Sequence, residues 1–143
     1  MAATDRRPVP RVVNQVWSYL IRRGMAPHSM SLITVSGRKT GKPYTVVVGL
    51  VTQNGEQYLV SPYGEVNWVQ NARAAEKLSV RHGKEEWTAR IEEQSPQQSA
   101  PVLKKYLSEH PVTRPYFEIG SAAPVEAFEG EAPRHPVFLL HRI

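Results

Sequence analysis

The chain has 143 residues, a formal charge of +5, 41% hydrophobic residues and no cysteine. That length suits a single domain over residues 1–143 that buries about 68% of its unfolded surface, and the apolar share excludes a wholly disordered chain. Disulfide frameworks, thiolate metal sites and cysteine nucleophiles are excluded, while the positive balance favours anionic partners.

No zinc-finger spacing, RNP-type aromatic motif or recognition helix points to nucleic acid. Arg6 and Arg7 precede an apolar run from Val9 to Ile21, as in a signal peptide. Asn14, Gln15 and Ser18 interrupt that run and no small-residue cleavage site follows, so a mature, soluble, cytoplasmic protein is expected. No stretch is long enough to span a bilayer. Val9, Val12, Val13, Val16, Trp17, Leu20 and Ile21 fall on one helical stripe, and Gly24 supplies a stop. This predicts an amphipathic helix within residues 1–24. Ringed by Arg11, Arg22 and Arg23, it would cover a sheet face or touch the anionic inner face of the cell membrane.

Two β-forming runs come next, Met30–Val35 and Tyr44–Val51, and the second is apolar on both alternating faces, as in a strand buried on both sides. Between them lies Gly37-Arg38-Lys39-Thr40-Gly41-Lys42-Pro43. Three cations on a tight glycine loop suit a phosphate or carboxylate; the alternative is a hairpin turn with its lysines in water. It is not a nucleotide P-loop, because Pro43 stands where Ser or Thr would hold magnesium. Asn54-Gly55 predicts a hairpin into a strand at Gln57–Val60. Glu65–Ala75 reads as a short helix bearing Val66, Trp68, Val69 and Ala72. Leu78–His82 and Trp87–Glu92 form a second hairpin about Gly83-Lys84. Ser95 or Ser99 caps a helix to about Ser108, His110–Pro133 reads as an irregular loop that could fold over a site, and Pro136–Leu140 is a last strand. About six strands, mostly joined by hairpins, predict an antiparallel barrel or sandwich in an α+β fold.

The chemistry of hydrolysis is missing. His28, His82, His110, His135 and His141 show no ligand spacing and read as surface or half-buried residues. Glu85-Glu86 and Glu92-Glu93 point to opposite strand faces and read as solvated. No nucleophile motif appears. What remains is chemistry carried by a cofactor, with the basic loop as anchor and Val46, Val47, Val48, Ser61 and Trp68 as a slot for a flat ring. Trp68 also fits ordinary core packing.

The order strand, Gly-Arg-Lys-Thr-Gly-Lys-Pro loop, strand, Asn54-Gly55, strand and then Asn67-Trp68-Val69-Gln70-Asn71-Ala72 resembles the deazaflavin-dependent nitroreductase/quinone reductase family over roughly Ser31–Ile91. Its members are typical of actinobacteria and use coenzyme F420, an 8-hydroxy-5-deazaflavin. The resemblance implies a split β-barrel of the flavin-reductase type. It implies that Arg38, Lys39 and Lys42, with Thr40 in the same loop, hold the phosphate and acidic glutamyl tail. Val47, Val48, Ser61 and Tyr63 would then form the slot, with Trp68 and Asn71 near ring and tail. It further implies an oxidoreductase that passes a hydride from reduced F420 to a small-molecule acceptor such as a quinone, enone or nitroaromatic, with a proton from Tyr63, Tyr116 or solvent. FMN is a less favoured cofactor. Tyr44 replaces a commonly basic residue, and Glu65 adds a negative charge near the anion site. The rival reading is a non-catalytic lipid- or fatty-acid-binding protein on the same barrel, or a haem- or FMN-binding relative.

Overall fold

The computed structural model describes residues 30–143, so the helix expected within residues 1–24 lies outside the described residues. In chain order the elements are β1 (Met30–Ser36), β2 (Pro43–Gln53), β3 (Glu56–Val60), α1 (Asn67–Ala75), β4 (Lys77–His82), β5 (Glu85–Glu93), α2 (Pro96–Glu109) and β6 (Val137–Arg142). Three short 3-10 helices, Pro111–Tyr116, Val125–Gly130 and Ala132–Arg134, lie between α2 and β6. The strands close into a barrel in the order β1-β2-β3-β6-β5-β4, every pairing antiparallel.

Period-two alternation decides what fills the barrel. Ile33 and Val35 of β1, Val46, Val48 and Leu50 of β2, Leu59 of β3, Leu78 and Val80 of β4, Trp87 and Ala89 of β5, and Phe138 and Leu140 of β6 form one interior cluster. Val66, Trp68, Val69 and Ala72 join it, so α1 seals the interior with the apolar face its spacing predicts. Asn54 and Gly55 both take positive φ, the turn that matches strand twist in a two-residue hairpin.

A second apolar cluster sits outside the barrel wall. Val51, Val60 and Val137 point outward and meet Val102, Leu103, Tyr106 and Leu107 of α2, together with Phe117 and Phe128. This cluster explains why β2 is apolar on both faces. Ser95 starts α2 with a capping box: its Oγ accepts from the Gln98 amide at 3.1 Å and its own amide donates to Gln98 Oε1 at 2.9 Å.

The expected irregular loop at His110–Pro133 is instead a packed segment, with Phe117, Phe128 and Glu131 buried at its inner side and His135 buried just after it. Its prolines (Pro111, Pro115, Pro124 and Pro133) forbid a continuous α-helix but fit single 3-10 turns. The apolar residues therefore follow no steady period, and the segment reads as loop from sequence. His110 and His135 are buried rather than at the surface. Expected and found agree for the glutamate pairs. Glu85, Glu86, Glu92 and Glu93 stay exposed in surface contacts with Arg142, Arg81, His141 and Arg73.

Candidate active site

The basic loop joins β1 to β2 and closes on itself. The Gly37 amide donates to the Lys42 carbonyl at 2.8 Å, and the Gly41 amide donates to the Gly37 carbonyl at 2.9 Å. Thr40 Oγ1 accepts from the Lys42 amide at 3.2 Å, so Thr40 shapes the loop from within. Gly41 has φ +77°, a conformation that an L side chain rarely adopts. The chain is thereby folded tightly enough to leave Arg38, Lys39 and Lys42 exposed on one bend.

Asn71 is buried in α1 and its Oδ1 accepts twice from Arg38, from the amide at 3.0 Å and from Nη1 at 2.7 Å. A residue expected to meet the ligand is therefore committed to the loop. It holds the Arg38 guanidinium in a fixed direction, which lowers the ordering cost of gripping an anion. The Glu65 carboxylate is paired with Arg73, which also bridges to Glu93 at 2.7 Å. That guanidinium holds Glu65 below the usual carboxylate range. Tyr44, in the place of a basic residue, packs its ring within 2.6 Å of where a Gly37 Cβ would stand.

The expected slot residues divide between two faces. Val46 and Val48 point into the barrel interior, as does Trp68, whose ring lies 5.9 Å from that of Phe138. These three are part of the barrel core. Val47 lies on the outer face and is half-buried. The Ser61 hydroxyl is buried and donates to the Gly64 carbonyl at 2.6 Å, which shapes the turn that presents Tyr63.

Tyr63 and Tyr116, far apart in sequence, meet edge to face with centroids 4.9 Å apart. Tyr63 is half-buried, and burial first, then Tyr116, raises its phenol above the ordinary value. It therefore stays protonated near neutral pH and has an O–H to donate. Beside it the sequence reading missed a second aromatic group. Tyr106 and His110 stack with centroids 4.3 Å apart over Gly49 of β2, where an added Cβ would lie 2.8 Å from His110 Nε2 and 3.0 Å from Tyr106 Cε1. Gly49, a glycine inside an otherwise β-branched strand, is the one signal that pointed to this close approach.

Thr45, Val47 and Gly49 run along the outer face of β2 from the basic loop to the stacked rings of Tyr106 and His110. At the strand rise, Lys42 to Gly49 spans about 20 Å. Cations at one end, an aliphatic wall and hydrogen-bond donors at the other suit an elongated ligand with an acidic tail and a flat ring. Among the described residues no group of His, Asp or Glu could hold a metal ion, and no helix is long and apolar enough to cross a membrane.

A family model described as F420H(2)-dependent quinone reductase matches residues 18–111. No curated protein matches the chain. Among solved structures, Atu2129 from Agrobacterium tumefaciens, a protein of unknown function, is similar at TM-score 0.62 and 14% identity, over 94% of this chain. The chain spans only 57% of that protein's length. An F420-H2 dependent reductase, FDR-A, is similar at TM-score 0.56 and 20% identity, over 79% of this chain and 94% of its own. A domain-swapped dimer is similar at TM-score 0.61 and 19% identity, over 89% of this chain and 94% of its own. At such identities these likenesses establish the fold, a barrel of the flavin-reductase type.

Proposed function

The chain belongs to the F420H2-dependent quinone reductase family and is an F420-dependent reductase, and we propose that it reduces quinones on the tyrosine side of the β2 wall while its basic loop holds the cofactor tail. The observation that carries this reading is the pairing of charge and shape: Arg38, Lys39 and Lys42 exposed where β2 begins, and Tyr63 in edge-to-face contact with Tyr116 just past the end of β3, the strand whose Val60 pairs with Gly49 of β2. The cation loop fits a phosphate and polyglutamate tail because its backbone is already closed and Arg38 is already aimed by Asn71.

When bound, reduced F420 supplies a hydride. The residues supply the rest. Arg38, Lys39 and Lys42 neutralise the tail, and the half-buried Val47 excludes water from the strand face. The half-exposed pair of Tyr63 and Tyr116 borders the acceptor and donates a hydrogen bond to the oxygen that gains charge. A quinone takes up a hydride and a proton to become a hydroquinone. Enones and nitroaromatics present the same electron-poor carbonyl-like acceptor and are secondary candidates. The raised phenol of Tyr63 keeps its proton and suits it to hydrogen-bond the oxygen that gains charge, while the proton itself comes from solvent past exposed Tyr116.

The test is a titration of F420 followed by its fluorescence, then quinone-dependent loss of F420H2 absorbance. Micromolar binding and turnover with a benzoquinone are expected, with FMN giving neither. Binding of F420 with no turnover on quinone, enone or nitroaromatic would break the acceptor assignment. Co-purified lipid with no F420 binding would favour a carrier instead.

A further inference from the structure

The mechanism above leaves one buried ionisable pair unused. Glu131 and His135 are each 2% exposed. His135 Nδ1 lies 2.8 Å from the Pro62 carbonyl oxygen. A carbonyl only accepts, so Nδ1 carries the hydrogen and donates to it. Glu131 Oε2 accepts from the Glu118 amide at 3.0 Å. Pro62 immediately precedes Tyr63, and Glu118 follows Tyr116 by two residues. Between them Phe117 stacks on the His135 ring at 4.0 Å. One side-chain pair therefore grips the backbone beside both members of the tyrosine contact.

The junction between the two side chains is poor. Burial holds the His135 imidazole below its ordinary value, so near neutrality Nε2 is a bare lone pair, facing Glu131 Oε1 at 3.3 Å. Both atoms lack a hydrogen-bond partner among the described residues. Arg134 approaches the same oxygen at 3.2 Å and Glu118 at 3.3 Å, and these two complete the charged groups facing the pair. Apolar residues of similar volume would fill this space at lower cost. What they could not do is hold Pro62 and Glu118 at a fixed separation.

Resting on the quinone reading of the tyrosine side, we propose that Glu131 and His135 are positioning residues: a bracket that fixes Tyr63 against Tyr116 and thereby sets the affinity for the acceptor, without touching cofactor or acceptor. The bonds of the bracket run to Pro62, Glu118 and Arg134 and none runs to the basic loop, so it acts on one substrate and not on the other.

Three variants test it. His135→Phe keeps the stack on Phe117 and loses the bond to Pro62. Glu131→Ala loses the bond to Glu118. Glu131→Gln keeps an oxygen for Glu118 and turns an N–H toward His135 Nε2. The expected result for the first two is an acceptor KM raised about tenfold, as a misplacement of about an ångström can cause, with F420 affinity unchanged. Glu131→Gln is expected to restore KM, and in Glu131→Ala the Glu118 amide should exchange with solvent markedly faster. An unchanged KM in His135→Phe overturns the proposal. So does a failure of Glu131→Gln to rescue, or a loss of cofactor affinity in step with KM. Should His135→Phe not fold, the two Glu131 variants decide alone. If the wild type binds no F420, the quinone reading fails. The bracket is then judged by Glu118 exchange and by nuclear Overhauser contacts between the rings of Tyr63 and Tyr116, whose persistence in Glu131→Ala would sink it.

Discussion

The two parts of the candidate site are built in opposite ways. The basic loop is local: seven consecutive residues fold back through two backbone hydrogen bonds, and a single distant residue, Asn71, aims one cation. The tyrosine end is assembled from β2, the turn after β3, α2 and the 3-10 segment, and apart from the Tyr106–His110 stack its contacts join residues far apart in sequence. The difference follows from what each end has to do. Grip on a mobile anionic tail needs charge more than shape, whereas an acceptor ring has to be held within reach of a reacting carbon, and only a packed surface does that.

The comparison breaks first at the cations. Replacing Arg38 and Lys39 together with alanine should weaken F420 affinity by at least about 100-fold, the worth of two charge-assisted contacts. The dependence of affinity on ionic strength should flatten at the same time. Acceptor KM, extrapolated to saturating cofactor, should stay put. Isothermal titration at several salt concentrations measures both effects, and an unaltered affinity would move the anchor elsewhere.

At the other end the pattern should invert. Tyr63→Phe removes the donor and keeps the edge-to-face ring contact, so kcat should fall by about 10- to 100-fold while F420 affinity is retained. Stopped-flow oxidation of the preformed cofactor complex reads this directly. If Tyr63→Phe keeps its rate and Tyr116→Phe loses it, the roles of the two phenols are exchanged.

How much was legible in the sequence follows the same divide. The strands, both hairpins, both helices and the basic loop could be read because their signals are periodic or contiguous: alternation in β4 and β5, Asn54-Gly55, Ser95 with Gln98. The tyrosines came only from position by analogy, and their partners were not found. Val48 and Trp68 seemed slot residues because a short apolar run does not say which face is which; the barrel's closure decides that. His110 and His135 read as surface or half-buried rather than buried because burial of a polar ring depends on Gly49, Phe117 and Glu131, residues drawn from three separate places. The i, i+4 spacing of Glu131 and His135 was the available hint, masked by Pro133 between them.

Gly49→Ala sharpens the point in terms of stability. The new methyl would meet His110 Nε2 at 2.8 Å and Tyr106 Cε1 at 3.0 Å, and both rings are pinned by their stack. A cost of about 1–3 kcal/mol is expected, visible as a fall of several degrees in Tm. The basic loop should not notice, so F420 affinity at a temperature well below Tm should persist. A neutral Gly49→Ala would mean that α2 floats on the barrel rather than seating on it.

The smallest effect is a pH dependence that belongs to the tyrosine end alone. Burial pushes both His110 and His135 below the ordinary imidazole value, and it outweighs the neighbouring Glu109 and Glu131, which push the other way. The unfolded chain takes up these protons near pH 6.5, before the folded one does. Over that window the unfolded state binds more protons, so stability rises with pH. The contribution is complete above about pH 6.5 and is lost as pH falls through that value toward the depressed folded values. Urea midpoints measured between pH 8 and pH 5 should therefore be level at the upper end and decline below. His135→Phe should remove its own share of the slope. Glu65, held down by Arg73, adds a separate loss only when pH falls below its ordinary value of 4.5. A midpoint that climbs from pH 7 to pH 5 would mean the two rings are charged where they lie, and the packing of the acceptor side would need to be redrawn around two cations.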